Sequence, residues 1–216
     1  MTTNVLSPRA RERQVRRYWT EDGFAELVIG VGFVGLAVLL WLSDRSGAAQ
    51  ARLWGVVQAV YILAFAWGTR WVVQRLKWRV TYPRTGYVAY PRQWLRRRVV
   101  RFMVLAVGVA GVIGLAGLVL LDGTPRLYLL ALTLGLAGLY LGLAWAQDWG
   151  RGVGYAVVVL LSGGAAWAWW HFPFWGAWSL QGGLHFATLG VAQTLGGAWT
   201  LWRYLRRHPR PIEEET

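Results

Sequence analysis

The 216-residue sequence contains no cysteine, which excludes disulfides, thiolate catalysis and cysteine-based metal sites. It is also poor in charge. Only 15% of its residues are charged, against about 25% in a soluble domain, too few to coat a globule in water. Acidic residues are scarcest, ten against 23 Lys and Arg, and Lys77 is the one lysine. No Ser/His/Asp set, carboxylate dyad or phosphate-binding glycine loop is apparent, so the chain is not expected to be an enzyme. His171 and His185 bracket an aromatic loop, and a metal would need more ligands than these two. No metal site and no cofactor are expected. Residues 1–23 are polar and Arg-rich, without the short apolar core of a cleavable signal.

What is abundant points to lipid as the solvent. The chain is 56% hydrophobic, with 27 glycines, 16 Trp and 9 Tyr, and amphipathic aromatics collect at bilayer interfaces. Its charges are clustered, which leaves six long apolar runs, at 24–42, 53–71, 102–121, 127–146, 153–170 and 184–202. A 19-residue run such as the first covers roughly 28 Å as a helix, enough for the hydrocarbon core. The expected fold is an all-α integral membrane protein of one domain, 24–202, with six transmembrane helices as three hairpins. Residues 1–23 are read as a basic leader, where Ser7-Pro8 opens a short interfacial helix, and 203–216 as a tail.

Charge position sets the orientation. With six spans, 20 of the 23 basic residues fall on the side of the termini and the central loop, and only Arg45, Arg52 and Arg126 on the other. The positive-inside rule then places both termini in the cytoplasm, in a bacterial inner membrane. The same rule accounts for most of the net charge of +13, and no nucleic-acid-reading module is present. Nucleic acid is therefore not expected as a partner.

The centre of that charge is the loop at 72–101, within Arg70 to Arg101, a stretch with ten Arg or Lys and no acidic residue. Trp78, Val80 and Tyr82 alternate with Arg79 and Thr81, and Tyr87 to Tyr90 returns after Pro-Arg-Thr-Gly. That pattern predicts a small cytoplasmic β-hairpin between the second and third helices, turning at Gly86. Tyr82, Arg84 and Tyr87 would lie on it, followed by Arg92 and the Arg96, Arg97, Arg98 run. With Arg79, these residues are the expected binding surface for anionic lipid headgroups or a partner membrane protein, since each basic side chain near an anionic leaflet contributes about 1 kcal/mol. Tyr82 to Tyr87, YPRTGY, and Glu21 to Phe24, EDGF, resemble a motif of an uncharacterised bacterial multi-span membrane protein family. The resemblance covers these two stretches and implies no activity.

Glu21, Asp22 and Glu26 sit at the cytoplasmic end of the first span, where carboxylates complement the helix dipole. They either pair with central-loop Arg and dock the loop, or, at Glu26, couple to a proton or cation. Two functions remain in view. One is a non-enzymatic structural or interaction protein that forms a homo-oligomer, with tight packing at Gly108, Gly111, Gly114, Gly117, Gly138 and Gly142. The other is a small transporter or channel for an uncharged or anionic solute, its path lined by Gln58, His185 and Gln193 with Glu26 as gate.

Overall fold

The computed structural model describes residues 21–46, 50–85, 125–147, 149–168 and 182–209. The elements among them are α1 (Phe24–Arg45), α2 (Ala51–Val80), α3 (Tyr82–Thr85), α4 (Pro125–Gln147), α5 (Gly150–Ala168) and α6 (Gly183–Arg207). The leader helix, the span at 102–121 with its glycines Gly108 to Gly117, and the loop around His171 lie outside the described residues. So do Tyr87, Arg92, Arg96, Arg97 and Arg98.

Four of these helices are long and apolar enough to cross a membrane, over Phe24–Arg45, Leu53–Val80, Leu129–Gln147 and Gly150–Ala168. Large apolar side chains face outward along them, with Trp67 88%, Trp145 84% and Leu63 71% exposed. In water such surfaces would drive association, whereas lipid solvates them. The 30-residue α2 is about 45 Å long, more than a hydrocarbon core needs. Its surplus turns carry Arg75, Lys77 and Arg79.

The 25-residue α6 is more polar and is inverted in character. Its Val191, Leu195, Trp199 and Trp202 are exposed, while His185 and Gln193 are buried. Polar atoms inside and apolar ones outside is the arrangement that lipid, and not water, favours.

Glycine sets the closest contact in the fold. Helices α1 and α6 run antiparallel, Gly23 and Gly30 against Gly197 and Gly190. A Cβ would lie 2.5 Å from the Thr194 nitrogen at Gly30, 2.7 Å from the Val34 nitrogen at Gly190 and 2.5 Å from the Leu27 nitrogen at Gly197. Without side chains there, the two backbones touch, and dispersion between them replaces the hydrophobic drive absent in lipid. Gly138, expected as a packing glycine, has no described residue within 4 Å of where its Cβ would be.

Helices α4 and α5 form a tight hairpin, with the Trp149 N–H donating to the Ala144 carbonyl at 2.9 Å. The buried core joins this hairpin to α6 through Ala137, Tyr140, Tyr155, Ala156, Val159 and Leu189, with Phe33 of α1 packed against it. One end of the bundle therefore holds the start of α1, the end of α2, the α4–α5 turn and the end of α6.

The β-hairpin is corrected. Trp78 to Val80 continue α2, and Tyr82 to Thr85 form the one-turn α3. The alternation spans too few residues to override a helix already propagating through 27 residues before it. At the break, Thr81 donates its N–H to the Lys77 carbonyl at 2.9 Å and accepts the Arg84 and Thr85 N–H groups at 3.1 Å each. Helical hydrogen bonds thus occupy the backbone that a strand would have offered. Trp78 meets Tyr82 edge-on at 5.1 Å between ring centroids, a contact one helical turn apart and not a cross-strand pair.

Candidate functional site

Among the described residues, the entry to α1 gathers a dense set of polar contacts. Gly23 adopts φ 70, a left-handed conformation that glycine takes without steric cost, and this turns Asp22 back over the helix start. Asp22 Oδ1 accepts the Phe24 N–H at 3.3 Å. Its Oδ2 lies 2.8 Å from Lys77 Nζ, each side chain 1% exposed, and accepts the Thr81 hydroxyl at 3.1 Å. A fully buried ion pair holds only when its remaining valences are met, and here Thr81 and the helix N-terminus meet those of the carboxylate. Asp22 belongs to the EDGF stretch, and Thr81 directly precedes YPRTGY. Asp22 and the residues that open α3 are therefore neighbours in space.

Glu26 lies one turn further on, facing α5. Its Oε1 is 3.0 Å from Arg151 Nη2 and accepts the Trp149 indole N–H at 3.0 Å. Its Oε2 accepts the Tyr155 hydroxyl at 2.8 Å. Tyr155 in turn packs against Trp149 and Tyr140 at centroid distances of 5.5 and 5.8 Å. Arg151 Nη1 donates to the Thr200 hydroxyl, which itself donates to the Gly196 carbonyl at 2.8 Å. One carboxylate therefore links α1, α5 and α6, with both of its oxygens occupied. Tyr204 and Thr85 add a hydroxyl contact of 3.0 Å between α6 and α3.

The expected site residues separate in this arrangement. Asp22 and Glu26 are buried and paired, whereas Glu21 is exposed at the rim of a cavity of about 300 Å³ lined also by Arg151, Trp199, Arg203 and Arg207. Arg79 is exposed. Arg84 is half-buried and donates from Nη1 to the Val80 carbonyl at 2.6 Å, closing the end of α2. Reading the sequence missed Arg151, Trp149 and Tyr155. Only their place in the short turn between two spans, level with Glu26, could have brought them forward.

Of the residues proposed to line a path, His185 and Gln193 project from α6 toward α4. His185 Nε2 is 2.7 Å from the Thr133 hydroxyl, which donates to the Leu129 carbonyl at 2.7 Å. Gln193 donates to the Tyr140 hydroxyl at 2.6 Å. Among the described residues, His185 Nδ1 and Gln193 Oε1 are buried without a hydrogen-bond partner. Gln58 lies on α2, which packs on α1, and does not join them. Among the described residues no three His, Asp or Glu side chains gather as metal ligands.

Compared with protein-family models, curated proteins and solved structures, the chain finds no match in any of the three.

Proposed function

We propose that this chain is a non-enzymatic six-span protein of the bacterial inner membrane, both termini cytoplasmic, whose basic cytoplasmic face engages anionic lipid headgroups. The observation that carries this reading is the sidedness of charge. Lys77, Arg79, Arg84, Arg151, Arg203 and Arg207 all lie at the end of the bundle that holds Asp22 and Glu26, and Arg45 at the opposite end of α1. Helix α2 ends, and α4 begins, at opposite ends of the bundle, as a span at 102–121 requires.

Tryptophan–arginine pairs agree with interfaces at both ends. Arg45 lies 4.0 Å from the Trp41 ring centroid, while Arg75 lies 5.3 Å from Trp71 and Arg206 3.9 Å from Trp202. Such pairs place a cation in headgroups and a ring at the hydrocarbon edge. The surface extends, in this reading, to Arg92 and the Arg96–Arg98 run. Replacing Arg96, Arg97 and Arg98 with Gln should lower the anionic lipid retained through purification, read by native mass spectrometry, without changing helix content. Unchanged lipid content defeats the reading.

The transport reading keeps one specific support, the unpartnered His185 Nδ1 and Gln193 Oε1, which a passing polar solute or proton would satisfy. Leu189 lies between these residues on α6, 0% exposed. A Leu189→Cys variant in this cysteine-free chain reports on it directly. Reaction with a water-soluble methanethiosulfonate supports a wet path, and no reaction removes it.

A further inference from the structure

We propose that the cavity beside the end of α6 is a binding site for a single phospholipid bearing a phosphodiester monoanion, its phosphate held by Arg203 and Arg207. The inference rests on the lipid-binding reading above and assigns it a place. Four observations meet here. The cavity, about 300 Å³, is lined by Arg151, Arg203 and Arg207 against one carboxylate, Glu21. Arg151 is engaged by Glu26 and Thr200, whereas Arg203 and Arg207 are exposed and form no ion pair with a described residue. Two guanidinium groups facing one carboxylate leave one net positive charge, the complement of a phosphodiester. Guanidinium forks match phosphate oxygens in a way that an ammonium does not.

The fourth observation separates a lipid from a free anion. Val191, Leu195 and Trp199 are 51%, 65% and 59% exposed, and this row of every fourth residue winds round α6, by about 40° a step, into Arg203 and Arg207. An acyl chain lying on the apolar part of the stripe brings its headgroup to the arginines. Trp199, which also lines the cavity, marks the boundary where an indole sits at the interface. A soluble phosphate would have no use for the lower part of the stripe.

The test uses the full chain in a neutral detergent, titrated with dioctanoyl phosphatidylglycerol and followed by tryptophan fluorescence. The Arg203→Gln/Arg207→Gln variant should bind at least about tenfold more weakly, whereas Arg75→Gln/Arg206→Gln, the same charge loss on the tryptophan-stacked arginines of the wider basic face, should cost no more than about twofold. Dioctanoyl phosphatidylcholine should bind weakly, and inorganic phosphate should fail to displace the lipid. Equal losses in the two double variants overturn the site while leaving a diffuse basic surface intact. No binding by the parent chain defeats the broader reading as well. Displacement by millimolar phosphate overturns the lipid assignment. If the Gln pair does not fold, Arg203→Lys/Arg207→Lys keeps the charge and loses the fork, and affinity should fall several-fold; unchanged affinity overturns the proposal.

Discussion

Asp22 shows what one residue can fix. Its carboxylate is 1% exposed and bonded to Lys77, Thr81 and the backbone of Phe24. Removing one partner of such a pair strands the other charge, at a cost of roughly 3–5 kcal/mol. Asp22→Ala should therefore lower the thermal unfolding midpoint in detergent sharply. Asp22→Ala combined with Lys77→Met should recover much of the loss, because no buried charge remains. A double variant no more stable than the single one would show that the Lys77 ammonium is accommodated without Asp22. Glu26 predicts a different pattern, since it serves three donors at once. Glu26→Gln retains an oxygen for the Tyr155 hydroxyl but presents an amide to Arg151 or Trp149, so it should fall between the parent and Glu26→Ala. The same melting series checks the order. The sequence did bring Asp22 and Glu26 forward, as scarce acids among many arginines. It could not pair them, because Arg151 is 125 positions away from Glu26 and nothing local in either residue names the other.

At the scale of the element, apolar length was the readable signal. The runs at 24–42 and 127–146 and the described part of the run at 153–170 are helical, because forming a helix in lipid needs little more than continuous apolarity. The β-hairpin shows where that logic stops. Alternating Trp78, Val80 and Tyr82 satisfy a period of two only over five residues, and the same residues sit comfortably in a helix already under way. Glycines carry the opposite lesson, since abundance does not say which of them touch. Gly190→Ala should destabilise by about 1–3 kcal/mol, because its methyl meets the α1 backbone and no flexible side chain can yield. Gly138→Ala, on α4 with no described residue near its Cβ position, should be neutral or stabilise by up to about 1 kcal/mol through helix propensity. Thermal melts of the two variants decide this, and equal effects would mean that the α1–α6 contact is looser than its geometry.

For the whole molecule, the pairs Asp22–Lys77 and Glu26–Arg151 do together what neither does alone. Each joins α1 to a neighbour at the same end of the bundle, and Thr200 and Tyr204 bring the end of α6 to that level. This places Pro83 and Pro209 at one end, and Asp44 and Ala168 at the other. All four residues are exposed, and the absence of cysteine lets each be replaced by a single labelling site. A membrane-impermeant maleimide applied to intact cells should label Asp44→Cys and Ala168→Cys. Pro83→Cys and Pro209→Cys should react only after permeabilisation. Reversal of all four would keep the bundle and invert its orientation against the positive-inside charge bias. Asp44 and Pro83 reacting from the same side would be the more damaging result. It would break the α1–α2 hairpin, and with it the buried Asp22–Lys77 pair that closes this end of the bundle.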